Sequence, residues 1–566
     1  MKTTKKKFQE FVFLSLIFLL ALFLRVYGLA KYPCGFTPDE AAQGYTAYSL
    51  LRTGRDEWGV KLPLSPRSFG DFKAPLYTYL AVLSVGVWGL NEFAVRLPNA
   101  FLNSLTVLVV YFLVKKLFTE DNLGQKQNQF LALAASLLLA INPWHISLSR
   151  GAFEANLSSF FLPLGVWLFL EGLEQPWVLV LSSLIFGLNL FTYHSAKMIT
   201  PLVIFFLLIW KRKTVWRIVR LKKMAVATAL LIFLTDLILV AFGFLYGAGT
   251  RVRDIGIFSG GGQIVADRQY LAIISGLPKV VSRAFNNKVL FALEEFVNNY
   301  FSYISPQFLF VQGAGEATYG MIPGVGLLYL WESASVLYAF YLILKEKSSP
   351  LLFLGFWVLT APFPASLSRG VGFHANRVAV MMPAIQIISA YGLIKIFNRL
   401  RKIISFRFLV FTFCLLLFFS FFHFLEIYFY QAPKINAPKM FYGWRETSQF
   451  LRGNEDKYQM IVFSKNFSEP QAYLMFYLSM NPLMVQAQTG KWRDYENKGF
   501  LFVDQLPEYN LGKFVFRNFH FPEDKKPGIL FVGREEDFNG VVGKVEKVIY
   551  YPGPEKRIAF KLVSFN

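Results

Sequence analysis

MKTTKKKFQEFVFLSLIFLLALFLRVYGLAKYPCGFTPDEAAQGY, residues 1–45, decides how the remainder is read. Lys2, Lys5, Lys6 and Lys7 precede an apolar run beginning at Phe8. As a helix that run is long enough to cross a hydrocarbon core of about 30 Å. The run has the basic flank of a signal sequence, but no small-x-small cleavage pattern follows before Arg25, so an uncleaved first transmembrane helix is expected. Ala30-Lys31-Tyr32-Pro33 ahead of Cys34 lacks the small apolar residues of a lipoprotein cleavage site, which argues against lipidation there. Just beyond stand two adjacent acids, Asp39 and Glu40. Pro at a helix start with acids in the first turn suits an ordinary capped N-terminus. However, an acid at membrane depth costs about 2.5–3.5 kcal/mol, so two carboxylates where the chain leaves a bilayer call for a polar pocket.

The rest of the chain repeats the pattern of that first helix. Of its 566 residues 54% are hydrophobic and 17% charged, with 62 Phe, 27 Tyr and 11 Trp, a balance that excludes water as the only solvent. Eleven spans are expected: Phe8 to Gly28, Arg96 to Phe118, Gln129 to Ser147, Ala155 to Glu171, Trp177 to Tyr193, Ala196 to Trp210, Met224 to Tyr246, Met321 to Leu344, Pro350 to Leu367, Arg377 to Ile396 and Phe408 to Tyr430. The net charge of +22 gathers in short loops between them, so positive-inside topology explains it better than nucleic acid does. With the N-terminus cytoplasmic, Lys115-Lys116, the basic residues from Lys211 to Lys223, Lys345/Lys347 and the Lys395 to Arg407 cluster all fall inside. This parity requires the apolar stretch Ala74 to Leu90 to lie along the outer surface without crossing. The outer side of a plasma (inner) membrane then receives loops 29–95 and 247–320, turns near Arg150, His194 and 368–376, and the whole tail. From 431 to 566 short alternating apolar runs (MIVFS, GFLFVD, GKFVFRNF, GILFVG, VEKVIYY, RIAFKLVSF) and a helical stretch near Glu469 to Met480 predict a small extracytoplasmic α/β domain. Gln431 to Pro438 is its linker, and residues 1–430 form the membrane domain. The fold class expected is a mainly α, polytopic membrane protein.

Nucleotide-driven chemistry has no support, since Walker A, Rossmann, HExxH and CxxC patterns are absent. Only Cys34 and Cys414 occur, which argues against a disulfide framework or a cysteine metal cluster.

Candidate chemistry clusters at outer helix ends. Lys73, in Phe72-Lys73-Ala74-Pro75, precedes an apolar helix; a lysine there either snorkels or meets a phosphate at the membrane surface. Arg150 and Glu154 lie four apart, where a local ion pair is the plainer reading. His194, Lys197, His374 and Arg377 add polar and basic groups at other outer ends. The topology brings Asp39, Glu40, Lys73, Arg96, Glu154, Lys197 and Arg377 to one face. Acids beside cations at a membrane surface suit a reaction with a hydroxyl nucleophile and a phosphate leaving group.

On PDEAAQGY, FKAPLYTYL, NEFAVRLPNA, SRGAFEAN and YHSAK the chain resembles the GT-C glycosyltransferases of the protein O-mannosyltransferase and lipid A aminoarabinose transferase type. The resemblance covers roughly Phe8 to Ile396. It implies a GT-C-like bundle with interfacial helices in the first outer loop, and transfer of a sugar from a polyprenyl-phosphate donor to a glycan, lipid or protein acceptor, with no nucleic acid involved. By resemblance Asp39 looks like the catalytic carboxylate with Glu40 its neighbour, and Lys73 and Arg96 like donor-phosphate contacts. Arg150, Lys197 and Arg377 join the phosphate set, while Glu154, Tyr45, His194 and His374 would orient substrate. The chain departs from the family in the residues before Pro75 and in having Glu154 where the aminoarabinose transferases carry Asp. The sequence establishes no cofactor, and a divalent cation at Asp39 and Glu40 stays open, since hard cations choose carboxylate oxygens. A transporter or flippase of lipid-linked or small polar substrates is the alternative from another class, although its site would be expected at mid-membrane. A scaffold subunit is a third.

Overall fold

The computed structural model describes residues 2–119, 124–245, 256–259, 261–370 and 372–565. The chain opens with α1 (Lys2–Val26) and α2 (Pro38–Thr53), followed by a two-stranded hairpin of β1 (Arg67–Ser68) and β2 (Asp71–Phe72) and by α3 (Pro75–Trp88). Next come α4 (Glu92–Leu117), α5 (Gln125–Ile141), α6 (Pro143–Ser149), α7 (Ser158–Gly172), α8 (Val178–Leu190), α9 (His194–Trp210), α10 (Arg212–Leu221) and α11 (Lys223–Gly243). Further apolar helices run Glu332–Glu346, Ser349–Thr360, Ala384–Leu400 and Phe406–Glu426.

Five helices among the described residues are long and apolar enough to cross a membrane, or six if α5 and α6, bent by 56°, form one span. The expected spans all contain helix, but five of them hold helices of only 13 to 17 residues, short of the ~20 that a perpendicular crossing takes. The shortening has visible causes. Residues 321–331 are turns ahead of Glu332, and residues 377–383, expected as helix, are turns and one 3-10 turn. The first residues of the expected 247–320 loop lie outside the described set. α3 has 14 residues, about 21 Å of helix, too short to cross. Tyr77, Ala81 and Val85 are buried, while Leu83, Val87 and Trp88 on its other side are exposed.

The tail forms a six-stranded mixed sheet from β3 (Met460–Phe463), β4 (Tyr509–Leu511), β5 (Phe514–Phe516), β6 (Ile529–Gly533), β7 (Lys544–Tyr550) and β8 (Ile558–Ser564), in the order β4-β5-β3-β6-β8-β7. β3 pairs in parallel with β5 and β6, and the other pairings are antiparallel. GFLFVD is not a strand: it ends in a 3-10 turn at Val503–Gln505. Side chains alternate across the strands. Val462, Val515, Phe531 and Val563 close one face with Phe538. Ile461, Phe463, Phe514, Phe516, Leu530 and Leu562 join a core that also holds Phe36, Ala41, Tyr45, Trp58 and Tyr77 from the first loop. One apolar core therefore runs from the tail sheet into the segment carrying Asp39.

Candidate active site

The start of α2 sets two adjacent carboxylates to different tasks. Thr37 caps the helix with extended backbone, Pro38 occupies the first turn, and Thr37 and Glu40 form a reciprocal capping box. Closing that box turns Glu40 back toward the protein. Its Oε1 accepts from Arg96 Nε (2.7 Å) and Ala152 N (3.0 Å), and its Oε2 from Arg96 Nη2 (3.1 Å) and Thr37 N (3.1 Å). Successive helical residues lie about 100° apart, so Asp39 faces elsewhere. Its carboxylate is 36% exposed and pairs with Lys73.

Lys73 reaches that position from the end of the β1–β2 hairpin. Its backbone N donates to Pro66 O (2.8 Å) and its ammonium lies 5.2 Å from the centre of the Phe69 ring. Its side chain is 6% exposed and lines a crevice with Ser65, Pro75, His194 and Lys197, closed behind by Leu239 to Gly243 of α11. Lys73 thus joins Asp39, its ion-pair partner, to a narrow crevice that it lines with His194 and Lys197.

The structure places other expected residues elsewhere. Arg96, expected to hold a phosphate, is fully buried and spends all five N–H groups on protein: two on Glu40, the rest on Leu29 O (3.1 Å), Pro33 O (3.1 Å) and Gly35 O (2.7 Å). Arg150, expected in the same role, is also fully buried; it donates to Leu24 O (2.5 Å), Tyr27 O (2.6 Å) and Tyr32 O (3.3 Å) and lies against the Tyr428 and Phe429 rings. Both are internal clamps for the chain leaving α1. Glu40, expected beside Asp39 as a catalytic group, is the counter-ion of one of them. Tyr45, expected to orient substrate, is fully buried and donates to Met480 O (3.0 Å), which ties α2 to the tail.

Glu154 is buried and accepts from Gln43 Nε2 (2.9 Å), whose carbonyl accepts from Thr78 (3.0 Å). His374 meets Glu316 through Nδ1 (2.5 Å), with Asn376 N also donating to Glu316 (3.3 Å), and Arg377 donates to Arg369 O (3.3 Å). Among the described residues no three His, Cys, Asp or Glu side chains are grouped to hold a metal ion.

Sequence reasoning missed the tail's part. Beyond Tyr45, Gln486 from the tail donates to Ser49 (3.1 Å), Thr53 (3.0 Å) and Asp56 O (3.0 Å). Arg67 in β1 is held by Tyr495 and Glu496 and packs over Trp58 at 4.4 Å. Val503 N donates to Phe69 O (3.1 Å). Gly70 has φ 115°, and a Cβ there would sit 2.7 Å from Leu501 O. Beneath the hairpin, Glu57 accepts from Phe69 N (3.3 Å) and Thr46 (3.2 Å). Burial, with the adjacent Asp56 charge adding, pushes its carboxyl up to about 8. No periodic signal marks these tail residues, because each reaches the first loop as an isolated polar contact from a different element: Gln486 from the helix Pro482–Trp492, Tyr495 and Glu496 from the short helix Asp494–Asn497, and Val503 from a 3-10 turn.

Residues 72–239 match the family model described as Dolichyl-phosphate-mannose-protein mannosyltransferase. A segment of 216 residues, 37% of this chain, is 26% identical to YkcB of Bacillus subtilis (strain 168), named as a mannosyltransferase candidate; the match spans 28% of that relative's length. In fold the chain is similar to ArnT from Cupriavidus metallidurans, solved apo (TM-score 0.52, 12% identity, 100% of this chain and 98% of that one) and bound to undecaprenyl phosphate (TM-score 0.53, 12% identity, 99% and 98%). It is also similar to the oligosaccharyltransferase of Archaeoglobus fulgidus tethered with an acceptor peptide (TM-score 0.50, 16% identity), covering 83% of this chain and 63% of that one. The chain is thus similar in fold to ArnT along its whole length, and its residues 72–239 are similar to the dolichyl-phosphate-mannose-protein mannosyltransferase family model.

Proposed function

We propose that this chain is a membrane glycosyltransferase moving a sugar from a polyprenyl-phosphate donor to an acceptor hydroxyl outside the cytoplasm, with inversion. In this reading residues 1–430 are the membrane catalytic part of an inner-membrane protein with a cytoplasmic N-terminus, and residues 431–566 lie on the outer side. The observation that carries it is Asp39, a part-exposed carboxylate paired with Lys73 beside a crevice shared with His194 and Lys197. The likeness in fold to a protein solved with undecaprenyl phosphate supports a lipid-phosphate donor, and the matched family's name supports a sugar on it.

In the reaction the donor phosphate draws Lys73 from Asp39, with Lys197 and His194 beside it, leaving the carboxylate free as a base. Asp39 takes the proton of the acceptor hydroxyl, the oxygen bonds to the anomeric carbon, and the carbon–oxygen bond to phosphate breaks. The electron pair leaves with the polyprenyl phosphate, whose charge the cations hold. Glu40 stays out of this step, its lone pairs taken by Arg96, Thr37 and Ala152.

The test is incubation of purified protein with a panel of polyprenyl-phosphate sugars, reading free polyprenyl phosphate. One donor is expected to be consumed. With it, Asp39→Asn lowers turnover by roughly 10²- to 10⁴-fold in a protein that still melts normally, and Lys73→Gln raises KM. Wild-type turnover by folded Asp39→Asn would refute the base assignment. Transport of intact donor into vesicles without its consumption would favour a flippase.

A further inference from the structure

At the opposite end of α1 from Asp39, a groove of about 770 Å³ opens between α1, α5 and the helices Ala384–Leu400 and Phe406–Glu426. Its walls are apolar, and the last helix closes one side where Phe413 packs edge-on against Phe397 at 5.2 Å. Three helix ends meet at its mouth, the N-terminal parts of α5 and Phe406–Glu426 and the C-terminal end of Ala384–Leu400, and α1 passes alongside at Phe13 and Ile17. There the lining changes to Lys126, Gln127, Asn398 and Arg401, two cations and two amides, with no acid in the lining among the described residues. Lys126 and Arg401 are exposed.

The depth of the groove has a physical meaning. Its lining on α5 runs from Lys126 to Leu138, and on the last helix from Phe406 to Leu417. At 1.5 Å per residue these walls are about 16–18 Å deep, close to the ~15 Å of one leaflet of a 30 Å core. An apolar slot one leaflet deep, capped by cations and amide donors, complements a lipid whose chains fill the slot and whose anionic head sits at the mouth. At the other end of α5 Leu139 O accepts from Arg25 of α1 (3.2 Å), so the mouth at Lys126 lies about 20 Å of helix away from the side that carries Lys73, and a lipid phosphate there is not the donor of the proposed reaction.

We infer that this groove binds an anionic glycerophospholipid of the leaflet at the N-terminal end of α1. The inference stands apart from the glycosyltransferase reading and survives its failure. Full-length protein, delipidated in detergent and offered equal amounts of palmitoyl-oleoyl phosphatidylglycerol and phosphatidylcholine, should retain one phosphatidylglycerol by native mass spectrometry. From the contribution of each basic residue near a lipid head, two cations give a preference of roughly 30-fold and one of roughly fivefold.

Lys126→Gln with Arg401→Gln should erase the preference, and Ala134→Trp, which fills the slot, should lower retention of both lipids. Should the double variant fail to fold, wild-type protein in rising salt gives the same reading, since screening removes the preference. A photoreactive acyl chain on phosphatidylglycerol should label peptides containing Phe130 or Phe413. Equal retention of the two lipids, an unchanged preference in the folded double variant or at high salt, or displacement of phosphatidylglycerol by undecaprenyl phosphate would overturn the assignment.

Discussion

Replacing Arg96 separates the role that its sequence neighbourhood suggests from the role its surroundings give it. If Arg96 held the donor phosphate, Arg96→Gln would fold normally and raise KM. The structure predicts loss of stability. All five of its N–H groups bond to protein, and the Glu40 carboxylate that takes two of them has its four acceptor positions filled. Both side chains are 0% exposed. Breaking one partner of such a pair costs about 3–5 kcal/mol because the other charge stays buried. Arg96→Gln also strands the carbonyls of Leu29, Pro33 and Gly35, so it should sit at the upper end, and Glu40→Gln at the lower. Asp39→Asn, one residue away in a pair 36% exposed on the acid side and 6% on the lysine side, should cost less than either, because the amide oxygen still accepts from Lys73 and the site is open to solvent on the Asp39 side. Thermal unfolding of the three variants and of the Glu40→Gln/Arg96→Gln double measures this, with the double costing less than the sum of the singles. An Arg96→Gln protein with wild-type melting and a raised donor KM would refute the reasoning and return Arg96 to the phosphate.

Gly70→Ala tests the grip of the tail on the hairpin. With φ 115° and Leu501 O 2.7 Å from the new Cβ, the substitution should cost about 1–3 kcal/mol and, by moving the segment that delivers Lys73, raise the donor KM several-fold; unchanged melting and KM would show that the contact does not matter. Glu57 gives a pH signature. Its folded carboxyl titrates near 8 against an ordinary 4.5, so the native state binds more protons than the unfolded chain between those values. The contribution of Glu57 to stability is therefore full below pH 4.5 and is lost as pH rises toward 8, by a few kcal/mol. Glu57→Gln should flatten the melting profile between pH 5 and 9, and a profile equally steep in that variant would locate the titration elsewhere.

The sequence carried what repeats and lost what is solitary. Apolar runs marked all five helices that are long and apolar enough to cross a membrane among the described residues, because hydrocarbon selects each residue alike, and alternation found β3, β5, β6, β7 and β8. The Thr37-Pro38-Asp39-Glu40 start was legible as a cap because capping is a local, three-residue device. Arg96 and Arg150 were ambiguous in the sequence because a lone arginine near an outer helix end reads the same whether it meets a phosphate or a backbone carbonyl. What distinguishes them is the path of residues 24–35 between α1 and α2, whose carbonyls fold back over both guanidinium groups. No spacing rule encodes that path. β4 failed for another reason: Asn510 leaves it two isolated apolar positions, whereas β5, equally short, is apolar throughout.

The division of labour between Asp39 and Glu40 follows from helix phase and supply of partners. A capping box obliges the fourth residue of Thr-Pro-Asp-Glu to turn back on the cap, which sends Glu40 toward the bundle, where the only stable state for a carboxylate is full satisfaction by a cation and backbone donors. The residue before it is carried about 100° round the helix and escapes that demand. Asp39 accordingly meets a lysine delivered by a hairpin, and the hairpin is held by Tyr495, Glu496 and Val503 of the tail. Glu40 fixes the helix, and the tail fixes the lysine. Of the two acids, only the one left incompletely satisfied keeps a lone pair to offer a substrate.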